Sequence, residues 1–103
     1  MKYRVVRSDI ANSQLEEIMR YITKPTGDIQ SALNLLDELD KATRQLEDFP
    51  ESGINPRDIA VKRSGYRYLL ISNYYMFYKI DHAARTVVVY AFIYAKSDYK
   101  QLL

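Results

Sequence analysis

The stretch from Ile59 to Tyr94, IAVKRSGYRYLLISNYYMFYKIDHAARTVVVYAFIY, constrains the fold more than any other part of the chain. It holds four short runs of β-branched and aromatic residues. Ser64-Gly65 separates the first run from the second, Ser72-Asn73 the second from the third, and Asp81 to Arg85 the third from the fourth. Runs of this length, joined by short polar or glycine-containing links, predict a meander of four antiparallel strands. Within it Arg67 shares a face with Leu69 and Ile71, and Met76, Tyr78 and Ile80 alternate against Tyr75, Phe77, Lys79 and Asp81. In the last run Val87, Val89, Ala91 and Ile93 oppose Val88, Tyr90, Phe92 and Tyr94. Both faces are apolar or aromatic, so the strands should be largely covered. One face is expected to take helices. The other is expected to remain a tyrosine-lined groove, because exposed apolar patches usually have an occupant.

The first half supplies the helices. Lys2 to Arg7 reads as a short strand with Tyr3 and Val5 on one face. Ser8 or Asp9 can then cap a helix whose apolar stripe is Ala11, Leu15, Ile18 and Ile22, and Pro25-Thr26-Gly27 ends it. Asp28 can cap a longer helix, with Ile29, Leu33, Leu36, Leu39, Thr43 and Leu46 as its stripe and Ala32, Leu35 and Ala42 flanking. Two amphipathic helices joined by so short a link should form an antiparallel hairpin, and only the sheet can bury their stripes. Pro50 to Pro56 is loop. The expected fold is α+β: an N-terminal strand, a helical hairpin, then the four-stranded antiparallel meander, in one domain spanning residues 1–103.

Charge divides the chain in the same way. Met1 to Gly53 carries seven Lys and Arg against ten Asp and Glu, whereas Ile54 to Leu103 carries eight against three. Eight of the ten tyrosines lie at or beyond Tyr66; Lys62, Arg63 and Arg67 crowd the first two runs of the meander, and Lys96 follows the last. A basic, tyrosine-rich sheet end suggests a polyanionic partner. The chain has no cysteine, which excludes a disulfide framework and a thiolate metal site. Its acidic residues Asp9, Glu16, Glu17, Asp37, Glu38 and Asp40 read as solvated helix faces, so neither a metal nor a cofactor is expected. The lack of cysteine favours the cytoplasm, and neither a membrane-length apolar run nor a charged-then-apolar leader is read.

The order of these elements, with the words inside them, resembles the RelE/ParE superfamily of bacterial toxins. The likeness runs from about Lys2 to Tyr99. It is carried by FPESG, by Gly65-Tyr66-Arg67, by Asn73-Tyr74 leading to Phe77-Tyr78-Lys79-Ile80-Asp81, and by Thr86-Val87 and the closing AK and SDY. The resemblance implies the toxin half of a type II toxin–antitoxin pair, with a cognate antitoxin as partner. It allows two activities. RelE-like members cleave mRNA in the ribosomal A site, without a metal; ParE-like members poison DNA gyrase and are not known as nucleases. A degenerate member that binds antitoxin or nucleic acid without toxicity is a third reading.

For cleavage, a proton acceptor, a charge to neutralise the phosphorane and a proton donor are required. The resemblance assigns these tasks to Arg67, Lys96 and Tyr99, with Lys62 and Arg63 as phosphate-binding cations. Each has a purely structural alternative. Arg67 can be a cation satisfied by an internal carboxylate or carbonyls, Lys62 and Arg63 can be edge-strand charges, and Tyr99 can pack a C-terminal turn on the sheet. His82, the single histidine, falls in the loop after Asp81, away from this region. On sequence alone the mRNA-cleaving reading stands ahead of the gyrase reading, although the long hairpin and FPESG are at least as frequent among ParE-like chains.

Overall fold

In the computed structural model, which describes residues 2–103, the fold is α+β, a helical hairpin on a four-stranded, mostly antiparallel sheet. Strand β1 (Arg4–Arg7) is followed by helices α1 (Asp9–Thr23) and α2 (Ile29–Asp48), a single 3-10 turn over Pro50–Ser52 and a short helix α3 (Ile59–Arg63). Strands β2 (Arg67–Ile71), β3 (Tyr74–Asp81) and β4 (Thr86–Tyr94) form the meander, and a second 3-10 turn over Tyr99–Gln101 closes the chain. The spatial order is β1-β4-β3-β2, with β1 parallel to β4 and the other pairs antiparallel. Among the described residues no helix is long and apolar enough to cross a membrane.

The meander therefore has three strands rather than four, and the fourth place in the sheet belongs to β1. Ile59 to Arg63, expected as a strand, is helical. Its N-cap is Asp58, whose Oδ1 accepts from the Val61 amide at 3.0 Å, and Gly65 beyond its C-cap adopts φ 91°. Asp before the run and Gly just after it are a helix start and stop. They outweigh the β-branched side chains between them. Lys62 and Arg63 thus project from a helix, not from an edge strand.

The helical hairpin forms where expected, but α2 is rotated about its axis. Ser8 caps α1 by accepting from the Ala11 amide at 3.0 Å, and Asp28 caps α2 through the Ser31 amide at 3.1 Å. The buried stripe of α2 is Ala32, Leu35, Leu39, Ala42 and Leu46. Ile29, Leu33 and Leu36 instead remain 64%, 53% and 42% exposed. The small alanines face inward, so the helix backbone approaches its neighbours closely.

On the sheet the alternation breaks once. Phe77 pairs with Ala91 but Tyr78 pairs with Val89, so Tyr90 is the extra residue of a β-bulge. One inserted residue reverses the parity beyond it. Val87, Val89 and Phe92 therefore face the hairpin core with Met76 and Tyr78, whereas Ala91 and Ile93 join Phe77 on the opposite face. That second face is not an open groove at this end. Val61 of α3 and Tyr99 of the C-terminal turn pack onto it beside Tyr66, Tyr68 and Tyr75.

Candidate functional site

The loop between α2 and α3 is held by two residues of the sheet. The Tyr78 hydroxyl, fully buried, donates to the Pro50 carbonyl at 2.7 Å and accepts from the Gly53 amide at 2.9 Å. Arg67 Nη1 donates to the carbonyls of Glu51 and Gly53, each at 3.1 Å. Ile54 completes the junction with a two-bond antiparallel bridge to Tyr68. A Cβ at Gly53 would overlap the Tyr78 hydroxyl and ring, which is the physical demand for glycine in FPESG. The guanidinium expected to meet a phosphate is thus bound to main-chain carbonyls, one of the two structural alternatives read from sequence.

The five candidate residues do not converge. Lys62 and Arg67 share a hollow of about 280 Å³, also lined by Glu51, Asn55, Gly65, Tyr66, Ile80 and His82. Arg63 lies exposed in the last turn of α3. Tyr99 sits at the other end of that helix, where its hydroxyl accepts from the Asp58 amide at 3.3 Å and its ring lies 5.1 Å from Phe77. Lys96 follows Tyr94, which pairs with Tyr74, whereas Arg67 pairs with Tyr78. Four residue steps along β3 separate those rows, roughly 13 Å at strand rise.

Four tyrosine phenols are less acidic than usual. Burial is the largest cause for Tyr66, Tyr68, Tyr74 and Tyr78, all of which are held above the ordinary phenol value. Tyr78 is partly drawn back by the Gly53 amide and by Arg67. Among the described residues no group of histidine and carboxylate side chains is arranged to hold a metal.

Two clusters had no clear signal in the sequence. At one end of the sheet the Tyr3 hydroxyl lies 2.9 Å from His82 Nδ1, and His82 Nε2 lies 3.4 Å from Glu51 Oε1. Their separation of 79 residues between Tyr3 and His82 hid the contact. On the second sheet face Lys79 Nζ lies 4.5 Å from the Tyr66 ring centre and 5.5 Å from that of Tyr90. The common face of Phe77 and Lys79 was readable from alternation, but that Tyr90 joins it follows from the strand register, in which Val88 pairs with Lys79. A hollow of about 970 Å³ lies elsewhere, at the hairpin tip between Tyr21, Ile22, Leu35, Tyr74 and Tyr94.

The sequence matches, over residues 5–99, the family described as ParE toxin of type II toxin-antitoxin system, parDE. Comparison with curated proteins found no match. Among solved structures, the chain is similar to one from the chromosomal ParDE toxin–antitoxin system of P. aeruginosa. That likeness has TM-score 0.70 and 11% identity, over 92% of this chain and 98% of the other. It is also similar to a chain of the toxin–antitoxin complex RelBE2 from Mycobacterium tuberculosis, with TM-score 0.64 and 18% identity over 91% and 99%. A YoeB/ParE toxin from Agrobacterium tumefaciens gives TM-score 0.61 and 12% identity over 88% and 96%. These likenesses carry the fold.

Proposed function

Since the chain belongs to the ParE toxin family of type II toxin–antitoxin systems, we propose that it is a cytoplasmic toxin that arrests growth by binding DNA gyrase rather than by cutting mRNA. The observation that carries the choice is the state of Arg67. A guanidinium that stabilises a phosphorane must present free N–H donors to it. Here one terminal nitrogen bridges the carbonyls of Glu51 and Gly53 and so organises the α2–α3 loop. The scatter of Lys96 and Tyr99 supports the same reading.

A cognate antitoxin is the second part of the proposal. The protein leaves Ile29, Leu33 and Leu36 as an exposed apolar stripe on α2, with Tyr21 exposed near the hairpin tip. Apolar surface of this kind usually has an occupant. Co-expression with the product of an adjacent open reading frame should abolish toxicity and yield a stable complex.

Purified gyrase and translating ribosomes are to be assayed in parallel with the same protein. Trapped gyrase–DNA breaks with intact mRNA are expected. Cuts in mRNA phased to codons, with supercoiling unaffected, would replace this proposal with the ribosome-dependent nuclease. Arg67→Lys sharpens the test, because an ammonium can still donate to both carbonyls but lacks the planar fork that suits a phosphate. At a temperature where the variant is folded it should still arrest growth. A folded Arg67→Lys protein without toxicity would assign the arginine to target chemistry instead.

A further inference from the structure

Every ion pair formed by a lysine or arginine in the structure lies in the acidic half of the chain, Arg85 left aside. Lys2 meets Asp48, Arg20 meets Glu17, Lys41 meets Asp37 and Arg44 meets Asp40. The basic half differs. Lys79 is half-buried on the second face of the sheet, yet among the described residues no carboxylate lies within ion-pair distance of its Nζ. The acid on its own face of β3, Asp81, is turned to the Ala84 amide at 3.0 Å. What the ammonium has instead is the two rings of Tyr66 and Tyr90, themselves edge-to-face at 6.0 Å.

The placing of Tyr90 is the second observation. Val88 pairs with Lys79, so alternation along β4 sets Tyr90, two residues on, on the same face as the ammonium, where it stays 38% exposed. The parity reverses directly after it, at the bulge, and bulges are frequent next to sites. Helix α3 and Tyr99 pack at the Phe77 end of this face, while Lys79 and Tyr66 stay partly exposed. Tyr66 also lines the hollow shared by Lys62, which places a further cation near the rings.

We propose that Tyr66, Lys79 and Tyr90 form a binding site for single-stranded nucleic acid, a base stacking on the tyrosines and a phosphate meeting the Lys79 ammonium. Every base has a π-face, so rigid aromatic side chains beside a cation bind single strands with little dependence on sequence. An extended acidic peptide fits less well, because it binds through main-chain hydrogen bonds at a sheet edge, and this surface is a sheet face. The site does not depend on the choice between gyrase and ribosome. It needs no cleavage.

The test uses the full chain and fluorescein-labelled RNA and DNA single strands of about ten nucleotides, long enough to cover one platform. The wild-type protein should bind both at about 50 mM salt and lose affinity steeply as salt rises. Lys79→Gln should weaken binding about tenfold and flatten the logarithmic salt slope by about 0.7. Tyr90→Leu should weaken it about tenfold through lost stacking, whereas Tyr90→Phe should bind as the wild type does. Arg44→Ala, on α2, is the charge-matched control. Photo-cross-linking of an iodouridine-containing strand to the unaltered protein gives a readout free of folding effects, with the adduct expected on Tyr66 or Tyr90. Absence of wild-type binding, an adduct on another element, or a folded Lys79→Gln that binds like Arg44→Ala would overturn the proposal. So would displacement of the strand by an acidic peptide at equal charge concentration, which would reassign the surface to a protein partner.

Discussion

The two faces of the sheet use the same strands and are closed by different means. Under the hairpin, Met76, Tyr78, Val87 and Val89 meet Leu35, Leu39 and Leu46, all essentially without solvent contact. On the other face Phe77, Ala91 and Ile93 meet Val61 of a one-turn helix and the rings of Tyr66, Tyr68, Tyr75 and Tyr99. Two long helices can bury a broad aliphatic surface. A five-residue helix and a C-terminal turn cannot, so the second face depends on aromatic contacts and leaves its Lys79 end partly exposed.

The largest effects should expose that difference directly. Leu46→Ala removes a fully buried side chain between hairpin and sheet, and a loss of about 4 kcal/mol is expected from transfer and cavity terms together. Val61→Ala, buried on the opposite face, removes two carbons and should cost about 1.5 kcal/mol. Urea unfolding of both variants checks the ratio. Equal losses would mean that α3 contributes as much as the hairpin, and the contrast between faces would disappear.

The junction of the two faces comes next in size. Gly53 has an extended backbone, φ −69° and ψ 161°, which any residue can adopt, so Gly53→Ala isolates the clash with Tyr78. Overpacking of this kind should cost about 3 kcal/mol. Tyr78→Phe removes the hydroxyl without adding volume. It leaves the Pro50 carbonyl and the Gly53 amide without their partner, and about 2 kcal/mol should be lost. If Gly53→Ala in the Tyr78→Phe background is as damaging as alone, the steric account fails, because removing the hydroxyl should relieve part of the clash. A double-mutant cycle measures that coupling.

How much was legible in the sequence follows the range of the interactions involved. Caps, turns and the hairpin are local, and Ser8, Asp28 and Pro25-Thr26-Gly27 act where they were read. The short helix α3 reads as a strand from the β-branched Ile59 and Val61, although Asp58 and Gly65 mark both its ends. The rotation of α2 was not readable, since leucines at 33, 35, 36 and 39 offer two overlapping stripes and only the partner surface selects between them. The bulge at Tyr90 is likewise a property of strand pairing. Each such feature of the candidate site depends on long-range choices: Arg67 on carbonyls 14 and 16 residues away, His82 on Tyr3, and Lys79 on the rings of Tyr66 and Tyr90.

The smallest expected effect distinguishes the faces by pH. Burial holds the phenols of Tyr66 and Tyr68, on the second face, above their ordinary value near 10, as it does for Tyr78 on the first. Below that value folded and unfolded chains are both protonated and no stability depends on pH through these groups. As pH rises past it, the unfolded chain ionises first and binds fewer protons than the folded one, so stability falls until the folded phenols ionise as well. Thermal unfolding followed between neutral pH and about pH 11 should therefore show a decline that begins near 10. Tyr66→Phe with Tyr68→Phe should make that decline shallower by removing the contribution of the second face. Tyr78→Phe should also make it shallower, from a lower starting stability, because its hydroxyl carries two main-chain bonds. A decline left unchanged by the double variant would mean that the open face holds its tyrosines in water-like surroundings, and the burial assigned to the rings beside Lys79 would have to be withdrawn.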